Sequence, residues 1–361
     1  MSVEAAPVAT LRARPDARVA TLRGLRPMGF RLGADPAQDR LGYVRAASAI
    51  RRVEGGYVVV QDDANVLALL PSVDAADRCE ALLLPPAVDG RRLFGPSLGN
   101  KAHKLDLEAA IVLPDGRFVA FGSGSTPARC RLVVWPGAEG GTSDGLDAAA
   151  PARVVDAAAL YQALADEPAF AGSELNVEGA TLASGLLLLA QRGNGAADRP
   201  IAPVDALVAL DLDAFVAWLD GRGPLPALGA VVQLALGDVD GVRLTVTDLV
   251  APPGPGGPRP SPWGRDLGPI ALLTAAEASP NTYDDGEVVG CRLVLWEHAG
   301  LTSHAIEVVD ADGHVGACTL KLEGIEFVEQ RDDALIFVVV VDMDDESQPA
   351  QVGELTLTRR A

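Results

Sequence analysis

The sequence predicts an all-β fold, a five-bladed β-propeller of four-stranded antiparallel blades closed by a strand from the N-terminus. Three observations carry this expectation. Segments of the chain repeat one another at spacings of 60 to 75 residues. Each repeat has room for three or four short strands. The last repeat lacks its fourth strand, and a strand-like segment is left over near the other end of the chain.

The clearest self-match sets Cys130-Arg-Leu-Val-Val-Trp135 against Cys291-Arg-Leu-Val-Leu-Trp296. A second series runs Leu107-Glu-Ala-Ala-Ile-Val-Leu113, Val177-Glu-Gly-Ala-Thr-Leu182 and Leu322-Glu-Gly-Ile-Glu-Phe-Val328, each a Glu, a small residue and an apolar strand pattern. Ala47-Ser-Ala-Ile-Arg-Arg-Val53 and Val246-Thr-Asp-Leu-Val-Ala251 complete it. The anchors are then Ser48, Glu108, Glu178, Asp248 and Glu323, with gaps of 60, 70, 70 and 75. A near-constant period is the signature of a repeat architecture.

After each anchor strand comes a turn and a strongly apolar second strand: 57–61, 117–122, 185–191, 270–275 and 334–341. Third strands follow at 65–70, 130–135, 205–211, 291–296 and 351–358. Fourth strands read at 78–84, 152–156, 230–236 and 303–310. Arg18–Leu25 has the character to supply the missing one, and so to tie the ring and remove a free edge. A six-bladed ring is the alternative, at roughly 60 residues per blade.

The whole chain, 1–361, reads as one domain with a flexible N-terminus over 1–15. The segments 156–166 and 212–219 have helical spacing and read as short surface helices. The Pro/Gly run 251–262 reads as an inserted loop without regular structure.

Composition narrows the partners. Hydrophobic residues make up 48% of 361, enough for a sizeable core, and the formal charge is −19. Such a charge argues against nucleic acid and anionic membranes, which need basic patches. No run approaches a membrane-spanning length, and the N-terminus lacks the apolar core of a secretory signal. The four cysteines, Cys79, Cys130, Cys291 and Cys318, form no CxxC pair. A monomeric cytoplasmic protein is expected.

In a propeller the start of each first strand and the loop after the second strand open on one face. That gathers Ser48, Glu108, Glu178, Asp248 and Glu323 with Asp62, Asp63, Asn65, Ser123, Ser125, Arg192, Asn194, Glu277, Tyr283, Asp284, Asp285, Asp342 and Asp344. Two carboxylates ~6 Å apart repel by about 3 kcal/mol at an effective dielectric of ~20. A ring of them needs protons, cationic side chains or a bound cation. The chain has three lysines against 27 arginines, and all three, Lys101, Lys104 and Lys321, lie just before an anchor Glu. Lys104, Lys321, Arg192, Asn194, Ser123 and Ser125 are therefore candidate ligand-binding residues. Oxygen-only clusters suit Ca²⁺ or Mg²⁺. The candidate metal ligands are Glu108, Glu178, Asp248, Glu277, Asp285, Glu323 and Asp342. The opposing reading is structural: the anchors bond neighbouring backbone, and the lysines pair with local acids.

Other motifs are absent. The histidines show no HExxH spacing, Gly122-Ser-Gly-Ser125 is not a GxSxG elbow, and Gln191-Arg-Gly-Asn-Gly195 lacks a P-loop lysine.

Several segments together carry a resemblance. They are Asp106-Leu-Glu-Ala109, Gly122-Ser-Gly-Ser125, Leu175-Asn-Val-Glu-Gly179, Gln191-Arg-Gly-Asn194, Ala276-Glu277 with Tyr283-Asp-Asp-Gly286, Leu322-Glu-Gly324 and Asp342-Met-Asp-Asp345. They resemble a family of bacterial β-propellers without an established activity, similar in turn to phytase-like and esterase-like propellers. The resemblance spans roughly residues 40–358. The family implies a propeller. The broader group implies Ca²⁺-assisted hydrolysis of phosphate or ester substrates, although Ser48 and Asp248 depart from a complete Glu ring.

Two functions follow. One is a binding module that takes a small molecule or a protein at its acidic mouth. The other is a divalent-cation-dependent hydrolase of a phosphoester, ester or lactone. In the second, Glu108, Glu178 and Glu323 are ligands or general bases.

Overall fold

Runs such as Tyr57-Val-Val-Val-Gln61 are apolar at consecutive positions, so as strands they need cover on both faces. They have it in the computed structural model, which describes residues 8–137, 150–196, 198–253, 259–279, 286–297, 300–331 and 333–358. The protein is all-β, built of antiparallel sheets.

In chain order, β1 (Ala9–Pro27) is followed by a sheet of β2 (Ala47–Val53), β3 (Gly56–Gln61), β4 (Val66–Leu70) and β5 (Glu80–Leu83). The next comprises β6 (Leu107–Val112), β7 (Phe118–Gly122), β8 (Arg131–Trp135) and β9 (Arg153–Asp156). Helices α1 (Ala158–Ala165) and α2 (Pro168–Ala171) precede β10 (Val177–Ala183), β11 (Leu186–Gln191), β12 (Asp205–Asp211) and β13 (Val231–Ala235), with α3 (Leu212–Leu219) between the last two. The short β14 (Asp238–Val239) leads into β15 (Val242–Val250). Another two-residue pair, β16 (Arg259–Pro260) with β17 (Asp266–Leu267), comes before β18 (Ile270–Glu277), β19 (Val288–Glu297) and β20 (Gly300–Val309). The last strands are β21 (Val315–Ala317), β22 (Lys321–Arg331), β23 (Ala334–Asp342) and β24 (Gln351–Thr358).

The chain forms two compact units, residues 1–17 with 158–304 and residues 18–157 with 305–361. In the second unit, β3 shows why its sequence is uninterruptedly apolar. Val59 packs in one core with Val66, Val338 and Val340, while Val58 and Val60 face another with Leu107, Ala110 and Phe118. The sheet β2–β5 is thus sandwiched between β22–β24 and β6–β9. First strands lie close enough for backbone contact. A Cβ on Gly324 would sit 2.9 Å from Ala49 Cα. Arg51, buried, donates to the carbonyls of Ala110 and Ile325 on either side. The β22–β24 sheet takes its fourth strand from β1, with Ala20 opposite Leu357 and Pro27 opposite Gln351.

In the first unit, the sheets β10–β13 and β15–β18–β19 share a core that includes Leu188, Leu207, Val246, Leu272 and Trp296. A Cβ on Gly179 of β10 would lie 3.2 Å from Asp248 Cα on β15. The segment Ala9–Arg12 of β1 runs parallel to β13.

Three expectations differ from this architecture. Residues 9–15, expected to be flexible, are strand, because their backbone finds an edge to pair with on β13. The Pro/Gly run is not wholly irregular, since Arg259–Pro260 pairs with Asp266–Leu267 in a ladder too short to need many N–H donors. The first predicted helix starts at Ala158, after Asp156 has ended β9.

Candidate functional site

An extra residue in a strand breaks the ladder and re-aims a side chain. The register shifts at one residue of β2, β6, β10 and β15, namely Ser48, Glu108, Glu178 and Thr247, and at Glu323 and Val328 of β22. The fourth position is Thr247, not Asp248 as the sequence spacing suggests. Asp248 is one residue further on, equivalent to Ala49, Ala109, Gly179 and Gly324. It is fully buried, and its carboxylate accepts the N–H of Leu249 at 2.7 Å.

In the unit of residues 18–157 and 305–361, acidic side chains gather around two lysines. Lys104 Nζ lies 2.7 Å from Asp62, 3.0 Å from Asp63 and 2.7 Å from Asp106. Burial disfavours its charge, yet Asp106, Asp62, Asp63 and Glu108 hold its pKa well above the ordinary value. Lys321 Nζ lies 2.7 Å from Asp344, 3.7 Å from Asp342 and 3.9 Å from Glu323. Arg45 pairs with Asp63 at 2.8 Å and reaches Glu346 at 3.6 Å. Ser97 donates a short hydrogen bond to that same Glu346.

Asp106 is held by more than the lysine. Arg129 NH1 is 2.8 Å from its second oxygen, and Ser123 donates to that oxygen at 2.5 Å. Ser125 contacts Ser123 at 2.9 Å and accepts from Arg129. Burial pushes the Asp106 pKa upward, but Lys104 and Arg129 bring it below the ordinary carboxylate value. Asp63 follows the same balance, with Lys104 and Arg45 outweighing burial.

Two carboxyls go the other way. Burial and the neighbouring Asp63 raise Asp62 to about 6 despite Lys104. Burial raises Asp342 to about 7, with Lys321 opposing and Asp62 and Asp344 assisting. The acids Asp62, Asp63, Asp106, Glu108, Glu323, Asp342, Asp344 and Glu346 outnumber the cations Arg45, Lys104, Arg129 and Lys321. Protons on Asp62 and Asp342 relieve that excess. Water reaches the group: the side chains of Asp62, Asp344 and Glu346 are 21%, 33% and 35% exposed.

In the other unit Arg192 is the centre. It is buried, 2.5 Å from Glu277, 3.6 Å from Glu178, and donates to Thr245. Asn176 links Glu178 at 2.7 Å to Asn194 at 3.2 Å. Ser279 and the N–H of Gly286 satisfy the other oxygen of Glu277. Glu178, Arg192, Asn194 and Glu277 thus form one internal network, in which Arg192 serves two carboxylates. Asp285, with Tyr283 and Asp284, lies outside the described residues.

Among the described residues, carboxylate oxygens of Asp62, Asp106 and Glu108 all lie within 4.8 Å of one another, close enough to share an ion. Lys104 already sits against two of the three. The exposed Asp310, Asp312 and His314 make a second such group, tied into a turn by bonds to Asp310. Of the other expected metal ligands, Glu178 and Glu277 face Arg192, Glu323 and Asp342 face Lys321, and Asp248 caps backbone. Sequence reasoning missed Asp106, Arg129, Arg45 and Glu346. The spacing Lys104-Leu-Asp106-Leu-Glu108, polar at every second position, was the available signal for the first of these.

A family of unknown function, DUF6910, matches residues 100–346. No curated protein matches in sequence. Among solved structures the chain matches the glutaminyl cyclase of Myxococcus xanthus, 13% identical with a TM-score of 0.43, covering 98% of this chain and 100% of that one. A protein of unknown function from Dyadobacter fermentans is 10% identical with a TM-score of 0.35, covering 93% and 100%. Apo AztD from Citrobacter koseri is 11% identical with a TM-score of 0.26, covering 87% and 90%.

Proposed function

The chain belongs to the DUF6910 family, whose function is unknown, and we propose that it is a β-propeller binding protein whose acidic site takes a small organic cation. Its blades are the five sheets. The support for that count is a register shift in each first strand, at Ser48, Glu108, Glu178, Thr247 and Glu323, with the close approach of first strands at Gly324 and Gly179 and the closing strand from β1. The site is the group around Lys104 and Lys321. One observation carries the ligand class: carboxylates outnumber the local cations, and Asp62 and Asp342 are held near 6 and 7. A ligand ammonium group replaces the protons there, gaining charge-assisted hydrogen bonds from carboxylates already desolvated.

The test is thermal melting with methylammonium, putrescine and spermidine at pH 8 and pH 5. A rise in Tm at pH 8 that shrinks at pH 5 is expected, because at pH 5 protons compete for the same oxygens. No shift with any of them at ~10 mM, a concentration that detects millimolar affinity, overturns the reading.

A divalent cation on Asp62, Asp106 and Glu108 is the second reading, favoured by the 4.8 Å grouping. It requires Lys104 to swing away, since this lysine keeps its proton. Ca²⁺ or Mg²⁺ raising the Tm of chelator-treated protein, where ammonium compounds do not, favours this alternative.

A further inference from the structure

The strand β5 (Glu80–Leu83) ends its sheet, and its outer edge is only partly covered. At Cys79, just before it, both backbone groups point outward: Cys79 N–H donates to Gly29, and its carbonyl accepts from Arg31. Leu84 N–H points inward, to Asn65. Strand alternation then turns the N–H and C=O of Ala81 and Leu83 outward, away from β4. The covering segment does not follow them. It leaves the edge after Arg31, where Gly33, at φ 67, turns back and donates to Phe30.

The space it vacates is a cavity of 250 Å³ between β5 and residues 30–40, lined by apolar groups that include Phe30, Leu32, Cys79, Ala81 and Leu83. Leu32 at its rim is 77% exposed. Its far end is tied, since Arg92 bonds the carbonyls of both Leu84 and Gln38. The Arg40 guanidinium lies 4.9 Å over the Phe30 ring and donates to Gly33, which holds the arch in shape. The lining charges cancel, with Arg31 and Arg40 against Asp35 and Glu80, so the slot suits a ligand without net charge.

We propose that this slot binds a neutral extended peptide of about three residues with an apolar side chain, added as a strand to β5. Outward donors and acceptors two residues apart, repeating at about 7 Å, match the main chain of a β-strand. The apolar lining takes the ligand's central side chain. This site is separate from the acidic group around Lys104, and neither reading depends on the other.

The probe is acetyl-Ala-Leu-Ala-N-methylamide, added at up to ~10 mM to the full ¹⁵N-labelled chain, a level suited to millimolar binding. The amides of Ala81 and Leu83 are expected to shift together and to exchange about tenfold more slowly, as newly bonded amides do. An isologue with an ester in place of the central amide is expected to bind about tenfold more weakly, for want of a donor. Ala81→Pro removes one outward N–H and leaves the ladder to β4 intact, so it is expected to fold and to lose binding. If that variant does not fold, the ester comparison decides. The proposal is overturned if neither amide responds, or if amide and ester bind alike. It is also overturned if the edge becomes protected with protein concentration alone, which identifies a second copy of the chain as the occupant.

Discussion

Asp342→Asn tests whether the acid excess is real. Below the ordinary carboxylate value of 3.8, Asp342 is protonated folded and unfolded, and it contributes nothing to stability through its charge. As pH rises, the unfolded chain releases this proton first. The folded protein keeps it until about pH 7. The folded state therefore loses stability across that window and stays at the lower value above it. Three pH units at about 1.36 kcal/mol each give an upper figure of about 4 kcal/mol. The side chain is 15% exposed, so water reduces the penalty, and we expect about 3 kcal/mol. Asparagine keeps the acceptor for Asp344 N–H and cannot ionise. Urea midpoints at pH 3 and pH 8 should be nearly equal between variant and parent at the lower pH. At the higher pH the variant should be more stable. A variant less stable at pH 8 would mean that Asp342 is ionised and held by Lys321, and the reasoning would fail.

Lys104→Met leaves Asp62, Asp63 and Asp106 facing one another without their shared cation. It should cost about 3–5 kcal/mol at pH 8 by urea denaturation, and less at pH 5, where Asp62 takes up a proton. Gly324→Ala should cost more than Gly179→Ala, on the order of 1–3 kcal/mol, in the same assay. At Gly324 the new methyl meets backbone of Ala49 and Ile50, whereas at Gly179 the nearest atom is the end of the Leu249 side chain; the reverse order would contradict the close approach of first strands. With a thiol reagent at pH 8, Cys130 should react first, and Cys130→Ser should remove the fast phase. Cys79 should stay silent until unfolding, since burial pushes its thiol up to about 12.

Much of the strand plan was legible because each second strand is a single apolar run covered on both faces, and a turn residue closes it. The third strand Asp205–Asp211, the helix Leu212–Leu219 and the pairing of Arg18–Leu25 with the last strand could be read from such patterns. The fourth anchor could not. Val246-Thr-Asp-Leu offers two polar residues in succession, and a one-residue error moves a side chain to the opposite face. Only the register of β15 against β18 separates Thr247 from Asp248. The lysines were visible as rare residues before anchor glutamates. Their partners were not: Asp63 and Glu346 meet Arg45 from distant points in the chain, and nothing local in sequence joins them.

The pairing of Ala20 with Leu357 carries a consequence for synthesis. A ribosome delivers the two halves of that sheet in the wrong order. The β1 segment leaves the exit tunnel early, with Ala20 and Leu22 destined for full burial. Its partner follows roughly 330 residues later, which at ~5–20 residues per second is a wait of about 20–70 s. For that interval an apolar strand edge is open to other nascent chains. Overproduction in cells should therefore be limited by holdase capacity more than by the equilibrium stability of the finished protein.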